Sequence, residues 1–414
     1  MEGPLLFGSE LRRLRMQAGL TLQQLAQEMN YSKGHLSKIE RGGKRPPMSL
    51  ARRCDAYFSA RGRLSRLAEP RGTRSTRSTR DENTPSAMAR REILSAGVST
   101  LVSAGVASQG SADDRGHSDP HLLHLFRQQL DEMRRIGQTA SPAMLVPLLR
   151  AQVSTVTTLA VRAAGTTRAP LFLIAARFAE YTGWQAQEAG DDTAALRWTA
   201  EAVELARAGD DRHLADYALV RQALITFYNG AAAETVELAR LAQRSSAPPR
   251  VRALAAQREA QGHALAGDEA LCLQSLDRAR TLFGQDEPSA ESPVLGPTHL
   301  SDPAAMVTGW CLYDLGRPRE AASALDRECE RIPRHALRTR ARYGIRRALA
   351  HAAAGEVEHS CHIAGELLPL LDTAPSATIR ADIRRLDREL SRSRTQRAVR
   401  DLQPALARAV AAVG

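Results

Sequence analysis

Lysine is nearly missing from this 414-residue chain. Three occur, Lys33, Lys38 and Lys44, all within one twelve-residue stretch, against 54 arginines. Aromatic residues make up 4%, and there are no β-branched runs to suggest a sheet. Alanine, leucine, arginine and glutamate dominate instead, which predicts an all-α protein. No C-x-x-C pair occurs among Cys54, Cys272, Cys311, Cys329 and Cys361. An odd, scattered set of this kind is expected as free thiols in a reducing cytoplasm.

Other absences narrow the function. There is no P-loop, no G-x-G-x-x-G, no G-x-S-x-G and no H-E-x-x-H, so neither an enzyme nor a bound cofactor is expected. His121-x-x-His124 and the run Glu358-His359-Ser360-Cys361-His362 offer ligand-type residues, but neither has a second pair at zinc spacing. Both are expected as solvated helix-surface groups, with no metal. The apolar stretch ILSAGVSTLVSAGVA, close behind Arg90-Arg91, is fifteen residues long. That is short of the roughly 20 needed to span a bilayer, and MEGPLLFGSE has no basic region leading into an apolar one. No membrane or export role is expected, and the stretch is read as a weakly apolar helix.

What charge there is collects at one end. Residues 1–80 hold 17 Lys+Arg against six Asp+Glu, while the other 334 residues are balanced at 40 against 40. The whole excess of +11 therefore lies at the N-terminus, the footprint of a module that binds a polyanion. The same segment carries helical punctuation. Ser9 is expected to cap a helix containing Leu11 and Leu14 and ending at Gly19. Thr21 caps the next, with Leu22, Leu25, Ala26 and Met29 inward. After a turn at Asn30-Tyr31, Ser32 caps a third, KGHLSKIERG, with Leu36 and Ile39 inward. Pro46-Pro47 precede a fourth helix with Leu50, Cys54, Tyr57 and Phe58. Two helices joined by a short turn, the second basic on its outer face, form a helix-turn-helix. With Leu36 and Ile39 buried, Lys33, Gly34, Ser37, Lys38 and Arg41 face outward toward a major groove.

The run LRRLRMQAGLTLQQLAQEMNYSKGHLSKIERGGKRPP resembles the phage repressor and Cro family of helix-turn-helix domains, also called the xenobiotic response element family. The resemblance covers residues 8–60. It implies that Arg15 pairs with Glu40, and that Lys33, Gly34 and Lys38 stand at base-reading positions. One departure is Leu22, where the family usually places a polar residue on phosphate; Gln23 or Gln24 would supply that contact. The DNA-contacting set is therefore Thr21, Gln23, Gln24, Ser32, Lys33, Gly34, His35, Ser37, Lys38, Arg41, Lys44 and Arg45.

Three parts are expected: the DNA-binding domain at 1–69, a flexible basic linker with the weakly apolar helix at 70–119, and a helical repeat domain at 120–414. In the last part, turn-like glycines recur at Gly190, Gly230, Gly267, Gly316 and Gly355. Five residues after each stands a small residue: Ala195, Thr235, Cys272, Ala321 and Ser360. Nine after stand Thr199, Ala239, Leu276, Leu325 and Ala364. This is the recurrence a solenoid of helical hairpins requires, a small residue for close approach and an inner-face residue one turn later. The phase, as in YTGWQAQEAGDDTAALRWTAEAVELARAGD, resembles the tetratricopeptide repeat. The whole layout is similar to actinobacterial regulators that join a Cro-type helix-turn-helix to such repeats.

The expectation is a cytoplasmic transcriptional regulator that binds a pseudo-palindromic double-stranded DNA operator as a homodimer. Its repeats would dimerise, sense a signal, or both. The alternative is an interaction scaffold in which the first domain only localises the chain or contacts protein. A signalling peptide or protein, or a small ligand, would lie on the inner curve. The first helices of the hairpins line it there (171–187, 213–228, 250–265 and 335–350), presenting Arg177, Glu180, Tyr181, Arg221, Gln222, Tyr228, Arg258, Arg342 and Tyr343.

Overall fold

The structure is a computed structural model, and it describes residues 3–69, 120–244, 246–286 and 294–411. Every regular element among them is helical. The linker and bridging helix expected at 70–119 lie outside the described residues.

Five helices form the N-terminal domain: α1 (Gly3–Gln17), α2 (Leu22–Glu28), α3 (Lys33–Glu40), α4 (Met48–Tyr57) and α5 (Arg63–Ala68). Their core is Phe7, Leu11, Leu25, Leu36, Ile39, Leu50, Cys54 and Leu64, all fully buried. Helix α1 begins earlier than the expected cap at Ser9 because Phe7, one turn upstream, belongs to that core. Helix α5 was not foreseen. Its first turn is capped from outside, as the buried Asp55 carboxylate of α4 accepts hydrogen bonds from the Leu64 and Ser65 amides at 2.8 and 2.7 Å.

Two helices, α6 (Pro120–Ile136) and α7 (Pro142–Arg162), lead into five antiparallel hairpins. These are α8 (Arg168–Ala189) with α9 (Asp192–Ala208), and α10 (Leu214–Tyr228) with α11 (Ala232–Gln243). Next come α12 (Pro249–Ala266) with α13 (Glu269–Gly284), α14 (Pro303–Asp314) with α15 (Pro318–Glu330), and α16 (Leu337–Ala354) with α17 (Val357–Leu367). A single turn, α18 (Leu370–Thr373), and two closing helices, α19 (Ala377–Leu390) and α20 (Arg397–Ala411), follow. All five turn glycines have positive φ, from 77 to 94°, the conformation only glycine adopts cheaply. The five small residues expected for close approach are buried without exception, as are the five that follow them. Ser360 shows the fit, its hydroxyl donating across the last hairpin to the Ala348 carbonyl at 2.7 Å. Helix α7 is long and apolar enough to cross a membrane by length and composition, with a mean hydropathy of 1.4, and its inner face packs on α8.

The hairpins curve until the first meets the last. Glu188, at the end of α8, is wholly buried between Arg338 and Arg342 of α16, with Ser376 and Thr378 of the α19 cap region. Arg342 donates to it at 2.5 Å and Ser376 at 2.7 Å. Arg338 also donates to the carbonyls of Gly137 and Ala140, between α6 and α7, at 2.8 and 2.6 Å. Burial alone would raise the Glu188 carboxyl; Arg342 and Arg338 beside it reverse that and hold it at about 2. Because the folded value lies below the ordinary 4.5, this contribution is complete above about pH 4.5 and is lost as pH falls toward 2.

Glu188→Gln leaves two buried guanidiniums short of an anion and should cost about 3–5 kcal/mol at pH 7. Urea unfolding of both proteins across pH 2–7 checks it. The gap between them should close toward the acid end, and a gap independent of pH contradicts the clamp.

Candidate functional site

Helix α2 starts at a capping box. The Thr21 hydroxyl accepts from the Gln24 amide at 3.2 Å, and the Gln24 side-chain oxygen accepts from the Thr21 amide at 2.8 Å. Asn30 turns the chain at φ 51°, and Ser32 caps α3 by accepting from the His35 amide at 3.2 Å. Leu22, the departure from the family pattern, packs against the domain core. Its apolar side chain is needed there, which accounts for the missing polar group.

Arg15 and Glu40 do meet. The guanidinium forks onto the carboxylate, Nε to Oε1 at 2.7 Å and Nη2 to Oε2 at 3.0 Å, while Nη1 donates to the Leu20 carbonyl at 2.8 Å. Hydrogen bonding to Glu40 raises the Arg15 pKa despite partial burial. One side chain thus ties α1, the loop before α2 and the end of α3 together. On the far side of α3, Lys33, Gly34 and Lys38 are exposed, with Arg41, Lys44 and Arg45 beside them. No lysine forms an ion pair among the described residues. A Cβ on Gly34 would meet nothing within 4 Å, so bare backbone faces outward there. Thr21, Gln23, Gln24 and Ser32 are exposed on the same side, and Ser37 is half-buried. His35 is half-buried. Its ring packs edge-on against Tyr31 at 5.1 Å, Nε2 is buried, and burial lowers its pKa, with Lys44, Arg392 and Lys38 adding to the effect.

The opposite side of this domain rests on the hairpin turns and the C-terminal helices. Arg52 donates to the Leu265 carbonyl at 2.9 Å and pairs with Asp314 at 3.5 Å. Arg53 donates to the Ala353 carbonyl at 2.9 Å and pairs with Glu389 at 3.4 Å, and Asn30 reaches the same carbonyl at 3.2 Å. Both carbonyls lie in last helical turns, where they lack helical partners and favour a cation. Arg392 lies over the Tyr31 ring at 4.3 Å. The face of α3 that carries the lysines is left free.

A second feature lies inside the curve, a cavity of about 160 Å³. Glu180, Tyr181, Arg221, Tyr228, Arg258, Arg342 and Tyr343 line it as expected, joined by Trp184, Tyr217, Trp310, Arg134 and the loop residues Gly137 and Gln138. Arg177 instead pairs with Asp211 at 3.4 Å, and Gln222 is half-buried and outside the lining. The guanidiniums of Arg221 and Arg342 each stand 4.8 Å from the centre of the Trp184 ring. Arg221 donates to the Gln187 side chain at 3.0 Å and Arg258 to that of Gln261 at 2.6 Å. Burial depresses the Arg258 pKa, and only tyrosines (Tyr343, Tyr228 and Tyr217) oppose it.

Asp326, His351 and His359, from α15, α16 and α17, place their ligand atoms within 4.8 Å of one another. The sequence hid this because the residues come from three helices. The Asp326 carboxylate already accepts from Arg347 at 2.5 Å and lies 2.9 Å from His351 Nε2. A divalent cation there would have to displace Arg347.

Residues 6–67 match the helix-turn-helix domain family. The chain carries a DNA-binding fold at its N-terminus. No curated protein and no solved structure matches the chain.

The Arg15–Glu40 pair is bidentate and mostly buried, so it should exceed an exposed pair. A double-mutant cycle with Arg15→Ala and Glu40→Ala, read by thermal unfolding, should return about 1.5 kcal/mol of coupling; zero coupling would leave α3 anchored by its apolar face alone.

Proposed function

We propose that this chain is a sequence-specific DNA-binding transcriptional regulator that works as a homodimer, with tetratricopeptide-like repeats that take up a signal. The observation that carries the reading is the free outer face of α3. Lys33, Gly34 and Lys38 project there from a helix fixed on its other side by Arg15–Glu40 and by the core, with Arg41, Lys44 and Arg45 exposed beside them. Long cations on a rigid helix suit guanine O6 and N7, and the flanking Lys44 and Arg45 suit phosphate.

One helix-turn-helix covers too little DNA for specific binding, so two half-sites about 34 Å apart are the natural target. The outer face of α7 supports a second copy. It exposes Met144 and Leu148 one turn apart, an apolar patch that water disfavours and an identical patch can cover. Five free cysteines, four of them buried, agree with a reducing cytoplasm.

The inner cavity supports the sensing part. Three helices touch both it and the DNA-binding domain. Helix α12 gives Arg258 to the cavity and the Leu265 carbonyl to Arg52; α14 gives Trp310 and Asp314; α16 gives Arg342 and the Ala353 carbonyl. No catalytic constellation enters this reading, and the protein acts by binding.

Lys33→Ala and Lys38→Ala should each weaken operator binding by about 1–3 kcal/mol and relax specificity. Arg45→Ala should weaken all sequences alike. Mobility shifts on operator and scrambled DNA distinguish these; unchanged affinity in both lysine variants, with the fold intact, overturns the reading of α3. Leu148→Glu should convert a dimer to monomers by light scattering and reduce operator affinity. An unmodified chain that is monomeric on and off DNA removes the dimer from the proposal.

A further inference from the structure

We infer that the inner cavity binds a small aromatic carboxylate, a benzoate-sized anion, as the signal the repeats take up. The inference rests on the sensing part of the function proposed above and names the ligand class for it.

Size comes first. An apolar cavity of about 150 Å³ takes one benzene ring, and this one is about 160 Å³. An extended peptide is too large for a volume of this size, and the ends of the curve are tied together. Arg338 bonds the Gly137 and Ala140 carbonyls, and Glu188 joins the first hairpin to the last.

Charge comes second. Arg342 is neutralised by Glu188. Arg221 and Arg258 form no ion pair, though Arg221 lies within electrostatic range of Asp192; each is at least nine-tenths buried, and each donates only to a glutamine side chain. The Nε of each is buried with no partner. Two buried guanidiniums without an ion-pair partner are costly, and the cost is relieved when a carboxylate arrives between them. Glu180 is the one carboxylate in the lining. It leaves the lining cationic.

The walls come third. Trp184, Tyr217, Tyr228, Trp310 and Tyr343 surround the arginines. Trp310 is itself held edge-on by Phe227 and Tyr343 at 5.1 and 6.5 Å. Such walls stack a planar apolar body and offer nothing to a bare inorganic anion. Acid and ring together therefore define the ligand, and neither alone satisfies the site.

The test uses the full-length protein with benzoate, benzamide and inorganic phosphate, read by tryptophan fluorescence and calorimetry, because Trp184 and Trp310 line the cavity. Benzoate should bind and change the fluorescence, at least tenfold more tightly than benzamide or phosphate. Arg258→Gln should lose at least tenfold in benzoate affinity. Absence of benzoate binding at millimolar concentration, phosphate binding as well as benzoate, or an unchanged affinity in R258Q overturns the inference. Should R258Q fail to fold, the comparison on the unmodified chain decides, and equal binding of benzoate and benzamide overturns it. Operator affinity measured with and without benzoate is a separate readout. Bound benzoate that leaves operator affinity unchanged keeps the ligand class and removes the sensing function.

Discussion

Glu188 is the constraint on which the repeat region depends. Burying a carboxylate costs several kcal/mol unless cations and donors converge on it, and four groups do so here: Arg338, Arg342, Ser376 and Thr378. They come from elements at least 150 residues away in sequence, so the clamp forms only when the hairpins have stacked with the right curvature. Its arginines do more than neutralise one charge. Arg338 fixes the loop between α6 and α7, which contributes Gly137 and Gln138 to the cavity wall, and Arg342 passes beside Trp184 on its way to Glu188. Closing the curve and shaping the cavity are one event.

The same economy governs the support of the DNA-binding domain. Three of the five turn glycines face it. A Cβ on Gly316 would lie 2.5 Å from the Arg52 backbone, so glycine is required there twice, for φ and for approach. Gly267 is in van der Waals contact with Gly62, and Gly355 approaches the Asn30 side chain. Because helices α12 and α16 end at this surface, their unpaired terminal carbonyls are available to Arg52, Arg53 and Asn30. The interaction satisfies helix ends and positions the reading head at once.

Much of this was legible in the sequence because it follows local rules. The caps at Thr21 and Ser32, the turn at Asn30 and the five glycines each depend on a few neighbouring residues, and the hairpin contacts recur at fixed offsets from those glycines. The pairing of Arg15 with Glu40 was available only through family resemblance, since nothing local joins positions 25 apart. What stayed hidden required the closed curve. Nothing near Glu188 in sequence predicts Arg338 or Ser376, and so an open inner surface was expected where a small cavity stands.

If the proposed anion acts on DNA binding, the stiffness of helices supplies the route. Arg258 and the Leu265 carbonyl are seven residues apart on α12, about 10 Å along its axis. A helix cannot shorten over that distance, so it can only tilt or slide against its neighbours. An anion that drew Arg221 and Arg258 together would move α10 and α12 toward each other, and the far end of α12 would carry Arg52 with it. Asp314 receives both Arg52 and Arg385, which ties that displacement to α19 as well. Binding could shift DNA affinity only by the difference in its affinity for the two arrangements. A tenfold change in operator binding asks for about 1.4 kcal/mol of such difference. Reorienting one charge-assisted hydrogen bond in a buried site is worth about that much, so the shared helices need no large rearrangement to connect the two sites.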